Sequence, residues 1–260
     1  MYWDKGIWLF VKIRLAIPTY FVYNEKKQKG LKLMDYEIFG GNLPAVTIKL
    51  NQGETIYTQS GGMSWMTAGI EMETNMKGGL LKGLGRMLSG ESLFMATYTA
   101  RQPEQSITVA SSFPGSIRCL DITPQMDFIC QKNAFLCAQE SVELSTYVVK
   151  NMTGGIFGGE GFVLQRLHGN GKAFLELDGS IQEISLAPGE KIKVDTGNVA
   201  YFEATVGYAV ETVKGFKNIL FGGEGLFLTT LEGPGKVYLQ TINMPKFASR
   251  IIPYIPTKTN

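Results

Sequence analysis

Apolar and polar residues alternate one by one in three short stretches, TIYTQ (55–59), MDFICQ (126–131) and KIKVD (191–195). A period of two is the signature of a strand with one face turned to a core. β-Branched and aromatic residues dominate the chain between Gly, Pro and Asn turns, as strands require. FVLQRLHGNGKAFLELDG (162–179) predicts two strands joined by HGNG, a hairpin loop that needs positive φ. LFLTTLEGPGKVYLQTI (226–242) repeats that plan with EGPG, and LFMATYTARQPEQSITVAS (93–111) repeats it with a longer polar loop. One segment departs from the period. GGLLKGLGRMLSG (78–90) puts Leu80, Leu81, Leu84, Met87 and Leu88 on one helical face, which predicts a short amphipathic helix weakened by Gly83 and Gly85.

The strand pattern is written three times. NQGETIYTQSGGMSWM (51–66) and APGEKIKVDTGNVAYF (187–202) align without gaps. TPQMDFICQKNAFLCA (123–138) fills the same frame, with Gln125 for the glycine and Asn133 at the turn. Asn is the usual non-glycine residue at positive φ, so a left-handed turn is expected there. A second element follows each frame: LSGESLF (88–94), FGGEGFV (157–163) and FGGEGLF (221–227). The strand-opening positions 53, 125 and 189 are 72 and 64 residues apart, and the glutamates 91, 160 and 224 are 69 and 64 apart. Two markers with one period define an internal triplication. The expected fold is all-β: three repeats in a single compact pseudo-threefold body with one short helix.

Composition narrows this further. The chain has 260 residues, 44% hydrophobic, with 31 glycines, enough for one sizeable core. Cys119, Cys130 and Cys137 form no C-x-x-C pair and are odd in number, so buried thiols in a reducing, cytoplasmic setting are expected. Residues 1–33 carry seven Lys and Arg against two acids, a net of +5, and the remainder carries 18 against 21, a net of −3. GIWLFVKIRLAIPTYFVY (6–23) is apolar, but Lys12 and Arg14 lie in its middle and Pro18 interrupts it, which argues against a membrane span. The expected organisation is a basic, apolar N-terminal extension (1–33), a three-repeat β domain (34–245, with repeats of about 34–112, 113–178 and 179–245) and a C-terminal tail (246–260).

The order YEIFGGNLPAVTIKLNQGETI, GRMLSGESLFMATYTA, GGIFGGEGFVLQRLHGNGKAFLE resembles the AIM-type (altered inheritance of mitochondria) family over residues 34–245. The resemblance implies a fold similar to the Trp RNA-binding attenuation protein, with three β repeats in one chain. It implies no enzymatic activity and carries over no catalytic residue. The yeast namesake of the family is a mitochondrial inner-membrane protein tied to organisation of that membrane.

Candidate chemistry is sparse. His168, the one histidine, falls in the LHGNGK turn and is expected as an exposed turn residue rather than a buried base. HGNGK and GPGK match neither Walker A nor G-x-G-x-x-G. The residues singled out are the glycine-rich turns Gly90–Glu91, Gly158–Gly159–Glu160–Gly161 and Gly222–Gly223–Glu224–Gly225. Their three glutamates either converge near an axis, where they would hold a cation or a proton, or each accepts N–H groups of its own turn. The second arrangement is preferred, because glycine-rich turns expose donors; Glu54 and Glu190 are read the same way. No catalytic residue, cofactor or metal is expected. The expected role is a non-enzymatic binding or scaffold module with a protein partner or self-association. The alternative is association with a membrane surface through residues 1–33 and 78–90. A −3 body without a basic-aromatic stripe argues against nucleic acid, and RNA binding is the third reading.

Overall fold

The computed structural model describes residues 34–255 apart from 60, 76–94, 148, 150–151, 154–163 and 213–226. The strand β1 (Tyr36–Phe39) comes first. A set of six follows: β2 (Ala45–Leu50), β3 (Thr55–Gln59), β4 (Met63–Met66), β5 (Ile70–Asn75), β6 (Met95–Ala100) and β7 (Gln105–Ala110). The second set is β8 (Gly115–Ile122), β9 (Phe128–Gln131), β10 (Phe135–Gln139), β11 (Val142–Tyr147), β13 (Leu164–Gly169) and β14 (Gly171–Asp178), with the two-residue β12 (Met152–Thr153) inserted. The third is β15 (Ile181–Leu186), β16 (Lys191–Asp195), β17 (Val199–Glu203), β18 (Gly207–Thr212), β19 (Phe227–Glu232) and β20 (Gly235–Gln240). We call the six places in each set A to F.

The three sets pair alike. A pairs with F, F with C, B with E and E with D, always antiparallel. Even the irregularities repeat: the F–C ladder shifts register between Met63 and Trp65, between Phe135 and Cys137, and between Val199 and Tyr201. These pairs occupy identical places in the aligned frames. A bulge conserved in position across three sets is a built feature of the unit.

No set completes a sheet alone. B of the first set pairs with C of the second (β3 with β10), and B of the second with C of the third (β9 with β17). Four sheets result, in the orders β1-β2-β7-β4, β5-β6-β3-β10-β14-β8, β11-β13-β9-β17-β20-β15 and β12-β18-β19-β16. We number them I to IV. The two central sheets thus straddle two sets, and the outer two are halves. Among the described residues, β4 pairs only with β7 and β16 only with β19.

Apolar side chains fill the three spaces between successive sheets. Val46, Ile48, Ile107, Tyr98 and Phe174 lie between I and II. Tyr57, Phe135, Leu175, Leu167 and Tyr201 lie between II and III. Ile129, Phe202, Val237, Tyr208 and Leu231 lie between III and IV. Sheets II and III are covered on both faces, which is why FLCA at 135–138 and VAYF at 199–202 read as continuous apolar runs.

The turns follow local chemistry. Gly53 and Gly189 open strand B with φ of +84° and +77°. Glu54 Oε2 accepts the Asn51 N–H at 2.8 Å, and Glu190 Oε2 accepts the Ala187 N–H at 2.8 Å, as expected for glutamates tying down glycine turns. Asn133 differs from expectation. It sits in a single 3-10 turn (Lys132–Ala134), and the one described non-glycine residue at positive φ is Glu104. The 3-10 turn carries the chain from β9 in sheet III to β10 in sheet II without left-handed backbone, so asparagine's tolerance for positive φ is not used.

The single described helix, α1 (Met244–Ile251), falls where a tail was expected. Asn243 caps it by accepting the Lys246 N–H at 2.9 Å, and Pro245 stands in its first turn. The helix expected at 78–90 and the extension 1–33 lie outside the described residues.

Candidate functional site

The glycine-rich turns singled out in the sequence, Gly90–Glu91, Gly158–Gly161 and Gly222–Gly225, lie outside the described residues. Their strand ends do not. Each segment connects D to E, leaving after the rung Asn75–Met95, Tyr147–Leu164 or Thr212–Phe227. These rungs are equivalent in the three ladders, so the three connections hang from the same place on sheets II, III and IV.

One polar cluster among the described residues centres on Asp127, whose side chain is 8% exposed. It stands immediately before strand B of the second set. Arg166 Nε donates to Asp127 Oδ2 at 2.7 Å, and Arg166 Nη2 donates to the same oxygen. His168 Nδ1 lies 2.8 Å from Asp127 Oδ1. Arg166 and His168 are two residues apart on β13, so alternation puts both on the face turned to Asp127. Burial of the carboxyl opposes its ionisation; hydrogen bonds from His168 and Arg166, with their charges, outweigh it and hold the group below the usual carboxylate range. The Asp127 carbonyl also accepts the Ala204 N–H at 2.9 Å. One residue therefore ties β9, β13 and β17 together.

This places His168 differently from the sequence reading. It is a strand residue held by a carboxylate. With Nδ1 committed to Asp127, Nε2 is the nitrogen left for solvent, and the side chain is half exposed. The pairing spans 41 residues, and no short motif announces it. A second buried charge, Lys172, reaches Asp121 Oδ1 at 2.7 Å and lies 5.7 Å from the Tyr36 ring centre. Both clusters fasten strands together. No group of three or more His, Cys, Asp or Glu able to hold a metal occurs among the described residues.

The surface offers a different feature. Met244, Phe247, Ile251, Ile252, Tyr254 and Ile255 are exposed along α1 and the turn that follows, Tyr254 at 85%. The rings of Phe247 and Phe113 meet edge to face at 4.9 Å. Lys246 Nζ, on the other side of α1, bonds Asp195 Oδ2 at 2.7 Å. Leu43 is exposed as well, in a loop fastened by the Gly115 N–H to the Asn42 carbonyl, two residues from Phe113. An apolar rim thus gathers around one turn. No described helix is long and apolar enough to cross a membrane.

The three-set β architecture belongs with the comparisons to known proteins. The model of the Mitochondrial biogenesis AIM24 family matches residues 36–242, which spans β1 to the end of the third set. The chain belongs to this family. An uncharacterised protein from Streptococcus pyogenes serotype M6 is 29% identical over 225 residues, covering 84% of this chain and 89% of that one. A crystal structure of a Streptococcus pyogenes protein superposes with a TM-score of 0.71 at 26% identity, covering 85% of this chain and all of that one. AIM24 membership and the all-β architecture agree with the expectations drawn from the sequence.

Proposed function

We propose that this AIM24-family chain is a non-enzymatic binding or scaffold module. The observation that carries this reading is the exposed apolar rim formed by Leu43, Phe247, Ile252, Tyr254 and Ile255. Apolar area of this kind gains by being covered, at about 25 cal/mol per Å². The lone histidine supports it further, since its Nδ1 is already spent on Asp127. Cys119, Cys130 and Cys137 stand outside any disulfide, which fits a cytoplasmic setting as part of the same proposal.

A membrane surface is the second reading, and α1 is its specific support. Met244, Phe247 and Ile251 share one helical face, and Lys246 and Arg250 lie off it, the pattern of a helix that lies on a lipid surface. The test compares the full chain with Ile252→Glu/Tyr254→Glu. A protein co-purified from native cells by the wild type and lost with the variant supports the module. Flotation with anionic vesicles that the variant abolishes supports the membrane. Equal behaviour of the two chains in both assays refutes the role of the rim.

A further inference from the structure

We infer that α1 and the turn after it are one half of a two-helix seam, whose other half is an amphipathic helix of a partner protein with acidic residues flanking its apolar stripe. This rests on the reading of the apolar rim as a binding surface and names what the surface binds.

The apolar positions of the rim have a register. Met244, Phe247, Ile251 and Tyr254 are spaced three, four and three residues apart. That is the a-d-a-d spacing of a helix that packs along one other helix. All four are exposed, from 39% at Phe247 to 85% at Tyr254. The turn Ile252–Tyr254 continues the helix, since Ile252 keeps φ of −49° and ψ of −43°. Within α1, the large apolar residues Met244, Phe247 and Ile251 fall in an arc of about 60°. A face this narrow is a seam, whereas a surface-lying helix spreads its apolar residues over about 100° or more.

α1 gains little from the body. None of its described side chains is buried. The Asn243 cap and the Lys246–Asp195 pair are polar attachments, and Phe247 meets Phe113 by one ring edge. A helix of eight residues does not hold its shape in water on propensity alone; packing of its apolar side stabilises it. Here that side is open, and a partner helix supplies the packing.

Charge selects the partner. In the heptad that starts at Met244, Arg250 takes position g, which borders the seam and sets partner choice by ion pairing. Arg250 is exposed and forms no ion pair among the described residues. Lys246 takes position c, away from the seam, and is already held by Asp195. Residues 244–260 contain Lys246, Arg250 and Lys258 and no acid. A second copy of α1 is a poor match. In an antiparallel pair the g positions face one another, so Arg250 meets Arg250. In a parallel pair g faces e, so Arg250 meets the apolar Ile255. A helix with glutamate at its flanking positions satisfies Arg250 in either direction.

Two synthetic helices of about three heptads test this, both with Leu at a and d, one with Glu at e and g and the other with Lys there. Like charges on both flanks keep each from pairing with itself. Fluorescence anisotropy of the labelled helix, titrated with the full chain, reads binding. The Glu helix should bind, and the Lys helix should bind about tenfold more weakly. Arg250→Glu should reverse that order, and Ile251→Ser should weaken the Glu helix by about tenfold, the loss of one buried apolar side chain. Both positions are exposed on α1, so the β body folds in either variant. Absence of Glu-helix binding, equal binding of the two helices, or an order unchanged in Arg250→Glu overturns the proposal. Binding that Ile251→Ser leaves intact lies off the seam and equally overturns it. Flotation of the full chain with anionic vesicles, without Glu-helix binding, assigns the seam to lipid; it overturns the helix partner and leaves the rim a binding surface. A rim that engages neither probe overturns both readings.

Discussion

The hydroxyl of Tyr57 on sheet II donates a 2.9 Å hydrogen bond to the carbonyl of Val142 on sheet III, inside the apolar layer between them. Burial and neighbouring acidic groups push this phenol well above its ordinary pKa, so it stays protonated and remains a donor throughout the accessible pH range. Tyr57→Phe keeps the ring and its stacking on Phe135, and leaves the carbonyl without this donor. The expected cost is about 1–3 kcal/mol, the price of a buried group left unbonded. Urea denaturation at pH 7 checks it, with an unchanged midpoint contradicting the bond's role.

Asp127 gives a prediction in pH. Its folded pKa lies below the unfolded one, so in acid the unfolded chain takes up the proton first. The stabilisation is present above the ordinary carboxylate range and is lost as pH falls through the folded value. Asp127→Asn should therefore cost about 1–3 kcal/mol at pH 7. The gap to wild type should narrow below about pH 4. Melting curves between pH 7 and pH 3 measure the gap, and a constant gap would rule out the charged form as its source.

Gly115 and Gly53 separate two reasons for glycine. A Cβ on Gly115 would stand 1.8 Å from the Leu177 carbonyl oxygen, at the end of the β8–β14 ladder. A Cβ on Gly53 meets nothing within 4 Å, and only its φ of +84° resists. Gly53→Ala should cost about 1–2 kcal/mol of left-handed strain. Gly115→Ala should cost clearly more, because backbone must move. Equal losses in denaturant midpoint would contradict the difference.

A chain shortened to begin at Met34 retains β1, whose Tyr36 meets Phe174 edge to face at 5.0 Å. It should melt within about 8 °C of the full chain, the shift that 1–2 kcal/mol produces at this size. A chain beginning at Leu43 loses β1 and Tyr36 and should melt lower. Calorimetry on the two truncations distinguishes them.

Much of this architecture was legible in local pattern. The Gly53–Glu54 and Gly189–Glu190 openings, the E–F hairpins and the threefold repetition all leave marks within a few residues. What escaped was long-range. Nothing in TIYTQ or FICQ says that strand B completes itself on the next set, because alternation reports a buried face and never names the strand alongside. The Asp127–His168 contact was invisible for the same reason. Helix α1 escaped although Asn243 and Pro245 spell an N-cap and a first turn, because the repeat period ends just before it. Asn133 misleads because asparagine tolerates positive φ without requiring it.

The straddling sheets also govern the order in which the molecule can be made. During synthesis the first set emerges with β3 complete and nothing to pair it on one side, and it waits until Gln139 has left the ribosome. Pairing Tyr57 with Ala138 closes a loop of some eighty residues, a slow event beside local hairpin formation. The second set then waits in turn for Glu203. Native structure thus advances along the nascent chain one set behind translation, and an exposed apolar edge travels with it at every stage.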